Sequence, residues 1–167
     1  ANAVHEAKLQ SYQQLHPKVN YVLAAAGNKE GEILFDNSDP LGGIATDEPK
    51  AGYISVPMTT VDAQVQSKQL PPPYFLKLDT HGFEVPILEG AAQTLQNTSL
   101  LLIETYNFQL TPTSLRFHEM CSYLDARGFR PVDIIDPLHR NRDSVLWQFD
   151  VLFMQSSRPE FQDNHYN

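Results

Sequence analysis

Three carboxylates and one histidine carry most of the chemistry this chain could perform. Asp79, His81 and Glu84 fall within six residues, directly after the apolar run Tyr74-Phe75-Leu76-Lys77-Leu78. Gly82 among them lets backbone come close to a ligand. A carboxylate beside an imidazole can accept and pass on a proton, and imidazole is the side chain that titrates nearest neutrality. Glu104 closes a second apolar run, Leu100-Leu101-Leu102-Ile103, where a carboxylate has to be solvated, paired or functional. Simpler roles compete with each of these. Asp79 can cap the next helix, His81 can be an exposed turn residue, and Glu84 can complement the positive end of a helix dipole. Asp79 and His81 could also ligate a metal, but two ligands without a clear third are a weak signal. Cys121 shares an apolar helix face with Phe117 and Leu124 and reads as core. The serines lack a nucleophile-elbow context, and the eight glycines form neither G-x-G-x-x-G nor a phosphate-binding loop.

Composition narrows the range of functions. With 167 residues the chain has room for one domain at roughly 150 residues each, and 41% hydrophobic against 19% charged residues gives it a core. Twelve Lys plus Arg against twenty Asp plus Glu leave a net charge of -8 with the basic residues scattered, which disfavours nucleic acid as a partner. The longest apolar runs, residues 22–26 and 100–103, are far short of the roughly 20 residues of a membrane span. One cysteine excludes an internal disulfide and fits a reducing, cytoplasmic compartment. The start, Ala1-Asn2-Ala3-Val4-His5-Glu6, lacks Met and the pattern of a secretory signal, which suggests a processed chain or a fragment.

The elements that must position the carboxylates follow from periodicity. A helix is expected over Val4 to Leu15, ended by His16-Pro17, then a buried strand over Val19 to Ala26. Glu32 to Phe35 should fold back on it as a hairpin across the turn Asn28-Lys29-Glu30-Gly31. Asp36 to Gly52 reads as a long surface loop. Tyr53 to Met58 is strand-like, and Thr59-Thr60 offer a cap for a short helix carrying Val61 and Val65. After Pro71-Pro72-Pro73 comes the Tyr74 to Asp79 strand, a tight turn, and a helix with Pro86 in its first turn and Leu88, Ala91, Ala92 and Leu95 on one face. Leu100 to Thr105 is the next strand. The helix after it takes Thr111 as cap and Pro112 as first residue, bears Phe117, Met120, Cys121 and Leu124, and stops at Gly128. Phe129 to Ile135 and Leu146 to Met154 close as antiparallel neighbours, and the polar residues from 155 onward fray. Together these make an α/β sheet, mostly parallel in its centre. In such a sheet ligands bind beyond the carboxyl ends of the strands, which singles out residues 24–28, 79–84 and 104–108.

The segment Leu76-Lys77-Leu78-Asp79-Thr80-His81-Gly82-Phe83-Glu84, continued by Ile87-Leu88-Glu89-Gly90-Ala91, resembles the FkbM family of S-adenosylmethionine-dependent methyltransferases. Ala24-Ala25-Ala26-Gly27 with Gly31, Val56 to Asp62, Leu102-Ile103-Glu104, Gly128-Phe129 and Gln148 to Phe153 support it in the right order, over about residues 19 to 154. The resemblance implies a doubly wound, Rossmann-like seven-stranded sheet, mostly parallel with a C-terminal antiparallel hairpin, in a partial methyltransferase domain over residues 1–154 with a polar tail at 155–167. It implies S-adenosylmethionine as cofactor, contacted by Ala25, Ala26, Gly27, Asp79 and Thr80, with Asp79 where donor and acceptor meet. Asp79, His81 and Glu104 are then the candidate proton acceptors for O-methylation of a hydroxyl on a sugar or other small metabolite. His81 stands where an acidic or amide residue is more usual. The family's first strand, glycine-rich loop and acidic second-strand end should precede residue 1, so these 167 residues alone are expected to bind the cofactor poorly. Their place lies between the Val19 and Phe75 strands, which leaves two strand edges exposed. Two other readings stand beside this one: a non-catalytic domain of the same fold serving dimerisation or small-molecule binding, and a metal-dependent hydrolase using Asp79, His81 and Glu104. Small-molecule acceptors, a saccharide among them, are the expected partners, and a homo-oligomer stays open.

Overall fold

A computed structural model describes residues 1–166. It contains five α-helices, eight strands and two 3-10 turns among the described residues. The chain forms two compact units, one of residues 1–69 and 86–92, the other of residues 70–85 and 93–167, each with its own four-stranded sheet.

In the first unit a 3-10 turn at Ala3–His5 leads into α1 (Glu6–Leu15), none of whose residues is buried. The sheet orders its strands β1-β4-β2-β3, where β1 is Ala25–Ala26, β2 Gly31–Asp36, β3 Ile44–Thr46 and β4 Ile54–Thr59. Only β1 and β4 run parallel here. The expected strand over residues 19–26 shrinks to two residues, because a ladder extends only where a neighbour supplies partners and β4 reaches it only at Ala25 and Ala26. The expected hairpin also differs: β2 folds back on β4 and not on β1, with Ile33 opposite Val56. The long loop contains β3, since Ile44 to Thr46 pair with β2 residues Leu34 to Asp36. Alternation along β2 and β4 sends Ile33, Phe35, Val56 and Met58 into the core. Thr60 caps α2 (Val61–Ser67) as the sequence suggests, its Oγ1 accepting from the Ala63 amide at 3.0 Å.

The second sheet has the order β5-β6-β8-β7, with β5 Tyr74–Leu78, β6 Thr98–Tyr106, β7 Phe129–His139 and β8 Leu146–Gln155. The pair β5 and β6 is parallel; β8 lies antiparallel between β6 and β7. The closing hairpin is therefore as expected, and the α/β class holds. The mostly parallel sheet does not: both sheets are mixed, because a returning hairpin strand enters each of them. One face of the second sheet carries Leu78, Leu101, Ile103, Phe149, Val151 and Phe153, all buried, and packs on α5 (Phe117–Asp125) through Met120 and Leu124. Complete burial of such side chains contributes about 1.5–3 kcal/mol each.

Two helices depart from their sequence outlines. The helix expected around Pro86 is broken into α3 (Glu84–Glu89) and α4 (Ala92–Leu95). At the break, Gly90 lies so close to the Gly27 carbonyl that a Cβ there would come within 2.0 Å of its oxygen. The helix α5 begins at Phe117 and not at Pro112, since Ser114 Oγ accepts from the Leu110 and Thr111 amides and holds that stretch as a turn. Glu119 then closes the helix start by accepting from the Arg116 amide at 2.9 Å. Cys121 is half-buried, and burial pushes its thiol pKa up. In the polar tail, Pro159–Phe161 form a 3-10 turn whose Phe161 ring sits under the Arg130 guanidinium.

Candidate functional site

The second unit gathers the chemistry at the carboxyl ends of β5 and β6. Side chains two apart on a strand share a face, so Lys77 and Asp79 follow Phe75, and Glu104 and Tyr106 follow Leu102. Antiparallel pairing brings β8 alongside in a fixed register, with Asp150 opposite Glu104 and Gln148 opposite Tyr106.

Glu104 is the centre. It is buried, and its Oε1 accepts from the Tyr106 hydroxyl at 2.5 Å and from the Gln148 amide. Its carboxyl is also hydrogen-bonded to Asp79, which in turn meets the Lys77 ammonium at 2.8 Å. His81 Nδ1 lies 2.8 Å from the Tyr106 hydroxyl oxygen. One connected array therefore runs from Lys77 through Asp79, Glu104 and Tyr106 to His81.

The electrostatics follow from burial and from like charges held together. Burial, and then the hydrogen bond with Asp79, push the Glu104 pKa up to about 7. The same hydrogen bond, and then Lys77, hold Asp79 below the ordinary carboxylate range. The proton shared by the two carboxyls thus belongs to Glu104, which donates to Asp79. Asp150 is pushed up, chiefly by burial, with Lys77 opposing. Burial and then Glu104 raise Tyr106, so it stays a phenol and a donor.

The turn after β5 is tied down separately. Glu84 Oε1 accepts from the Thr80 hydroxyl at 3.0 Å and from the Gly82 amide at 2.9 Å. Gly82 has φ +92°, a left-handed conformation that suits glycine, and its carbonyl accepts from Thr111 Oγ1 at 3.2 Å. Buried Glu84 therefore holds the backbone that carries His81. Burial raises its pKa, and its backbone hydrogen bonds oppose this.

Beside this array stand aromatic rings. Trp147 meets Tyr106 edge-on at 6.0 Å and stacks on Phe108 at 5.0 Å, and the Arg140 guanidinium lies 4.2 Å from the Phe108 ring centre. Asp143 holds Arg140 in a two-bond fork at 3.1 and 2.5 Å.

Of the residues singled out from sequence, Asp79, His81 and Glu104 come together in this array, with Thr80 in the adjoining turn. Ala25, Ala26 and Gly27 lie in the first unit, where the Gly27 amide donates to the Thr59 carbonyl at 2.9 Å. Sequence reasoning held Tyr106 only within the stretch 104–108 beyond a strand end and missed Lys77, Gln148 and Asp150 as members of the array. The two-residue spacing of Glu104 and Tyr106 was a usable signal; the register that brings up Gln148 was not. Among the described residues no group of three or more His, Cys, Asp or Glu side chains is placed to hold a metal ion.

The model of the methyltransferase FkbM domain matches residues 3–131. The chain belongs to the FkbM methyltransferase family. No match was found among curated proteins or among solved structures. An FkbM methyltransferase uses a cationic methyl donor, and the donor set of the second unit suits one. With the shared proton on Glu104, two carboxylates, Asp79 and Asp150, are set against one ammonium, Lys77, so the array keeps negative charge to set against a sulfonium.

Proposed function

We propose that this FkbM methyltransferase performs S-adenosylmethionine-dependent O-methylation of a hydroxyl on a small molecule, a saccharide or a comparable metabolite. The observation that carries the reading is the buried Glu104, joined to both Asp79 and, through Tyr106, His81 at the carboxyl ends of two parallel strands. When bound, the cofactor supplies an electrophilic methyl group: the acceptor oxygen forms the new C–O bond as the C–S bond breaks with its electron pair to sulfur. The protein has to orient the acceptor and take its proton. Asp79, ionised at neutral pH and exposed, faces the sulfonium side with Thr80 beside it. His81 is the proton-accepting side chain, and Glu104 stands behind it through the Tyr106 hydroxyl. The rings of Trp147 and Phe108 offer apolar surface to the carbon face of a sugar, and Arg140 offers donors to its hydroxyls. In the same reading the protein is cytoplasmic, where its lone thiol stays reduced, and it has neither nucleic acid nor a membrane as a partner.

The test is transfer of isotope-labelled methyl from S-adenosylmethionine to a panel of glycosides and simple alcohols, with S-adenosylhomocysteine release as a second readout. Acceptor-dependent turnover that falls about 10²-fold or more in Asp79→Asn supports the reading. Binding of S-adenosylhomocysteine without turnover on any acceptor would instead favour a non-catalytic domain of the same fold.

A further inference from the structure

The tip of the hairpin between β7 and β8 is docked on the segment that follows β6. Its turn closes on itself, the Arg140 amide donating to the Val145 carbonyl at 2.9 Å and the Ser144 amide to the Arg140 carbonyl at 2.8 Å. The Asn107 amide donates to the Trp147 carbonyl at 2.9 Å, and Asn107 Nδ2 to the Leu146 carbonyl at 3.3 Å. Phe108 meets both the Trp147 ring and the Arg140 guanidinium, and Trp147 meets Tyr106, so this wall adjoins the carboxylate array. The polar atoms left over are of both kinds. Arg140 spends Nε and one Nη2 hydrogen on Asp143, which leaves three N–H donors without a partner among the described residues, and the Trp147 indole N–H has none there either. Asn107 and Gln148 each commit the amide nitrogen, Gln148 to Glu104, and keep a carbonyl oxygen as acceptor.

Donors and acceptors side by side match hydroxyl groups, which do both, and the rings match the C–H face of a polyol. Charge decides what else is admitted. A bare guanidinium would select a carboxylate or phosphate, because its fork fits those groups with two parallel bonds. Here Asp143 already fills that fork, and the Arg140 side chain is only 19% exposed. Asp143 is itself fixed, its Oδ1 accepting from the Val145 amide at 3.1 Å. Arg142 also meets Asp143, at 3.5 Å, but it is 74% exposed and its charge lies in solvent. Asp79 and Asp150 in the neighbouring array add negative charge. We propose that Asp143 is a specificity-determining residue: by filling the Arg140 fork it makes the wall an uncharged donor surface, which takes a neutral polyhydroxyl acceptor and turns away one bearing a carboxylate or phosphate. This rests on the methyl-transfer reading above and names the class of acceptor within it.

Trp147 is the one tryptophan of the chain, so its fluorescence reports on this wall without cofactor or acceptor. The probes are iodide, an anion, and acrylamide, which is neutral, at low and constant ionic strength. Asp143→Asn keeps an oxygen for the Val145 amide and removes the charge; it is expected to raise the iodide quenching constant about twofold and to leave the acrylamide constant unchanged. Adding Arg140→Gln to that variant should return iodide quenching to its starting value. An iodide constant that does not rise overturns the proposal, and so does one that rises in step with acrylamide, which would show only a loosened hairpin. In turnover, the unaltered protein should prefer a neutral methyl glycoside to the corresponding uronate. Asp143→Asn should shift the ratio of kcat/KM toward the uronate about tenfold, mainly through KM. A preference of the unaltered protein for the uronate also overturns the proposal. Quenching that responds as stated in a protein that methylates neither compound would sink the methyl-transfer reading and leave the wall as a site for uncharged ligands; turnover with an unmoved iodide constant would do the reverse.

Discussion

At the residue scale, Glu104 behaves unlike an ordinary surface carboxylate, and the sign of its effect on stability is reversed. Its pKa is raised from 4.5 to about 7, so the folded protein holds a proton that the unfolded chain has released. Stability from this group is present below about 4.5 and is lost as pH rises toward 7. Asp79, held low, acts in the opposite sense and in a separate window, losing its contribution only as pH falls below the ordinary carboxylate range. Glu104→Gln mimics the protonated carboxyl, accepting from Tyr106 and Gln148 and donating to Asp79. Melting temperatures measured between about pH 5 and pH 8 should fall with pH in the unaltered protein and stay flatter in the variant. The variant should be the more stable of the two at the alkaline end. A parallel pair of curves would mean that Glu104 ionises normally. Asp79 and Glu104 were legible as candidates because a carboxylate at the end of an apolar run must be accounted for. Tyr106 as their partner was not, since a tyrosine on a strand has many uses and only the folded geometry selects one.

At the element scale, the break between α3 and α4 shows how one backbone contact overrides a helical pattern. The apolar spacing of Leu88, Ala91, Ala92 and Leu95 is consistent with a continuous helix, and it stops at Gly90 because only glycine fits against the Gly27 carbonyl. Gly90→Ala would place a methyl 2.0 Å from a backbone oxygen and should cost about 1–3 kcal/mol or more in denaturant unfolding. Gly52→Ala makes a useful contrast. Gly52 has φ +87° with nothing within 4 Å of an added Cβ, so only conformational strain of about 1–2 kcal/mol applies. Equal costs for the two would remove the close contact as the cause of the break. The sequence reads as one helix across Gly90 and does not show what that glycine approaches, because Gly27 is more than sixty positions away.

At the scale of the whole molecule, the second sheet is solid on the face toward α5 and half-open on the other. Phe153 is fully buried on the solid face, and Phe153→Ala should cost about 3–5 kcal/mol through lost transfer energy and the cavity left behind. Phe75, on the other face, is 61% exposed and belongs to β5, which among the described residues pairs only with β6. A strand with one open edge and an exposed aromatic ring favours self-association. Phe75→Lys should change unfolding free energy by no more than about 0.5 kcal/mol and lower the weight-average mass seen by light scattering at high concentration. An unchanged mass would separate any self-association from this edge. No helix among the described residues is long and apolar enough to cross a membrane.

By itself the sequence determined the α/β class, most of the strands and helices, the closing antiparallel hairpin and the family, and it singled out Asp79, His81 and Glu104, which the second unit brings into one array. Those properties depend on local spacing: periodicity, caps, glycine and proline positions, and carboxylates at the ends of apolar runs. The tertiary structure alone decided that each sheet is mixed, that β4 and not β1 is the partner of β2, and that Asp150 and Gln148 lie beside Glu104 and Tyr106. These are matters of strand order and register, set by contacts between distant residues, and the free energy of a buried carboxyl depends on which neighbours that register delivers.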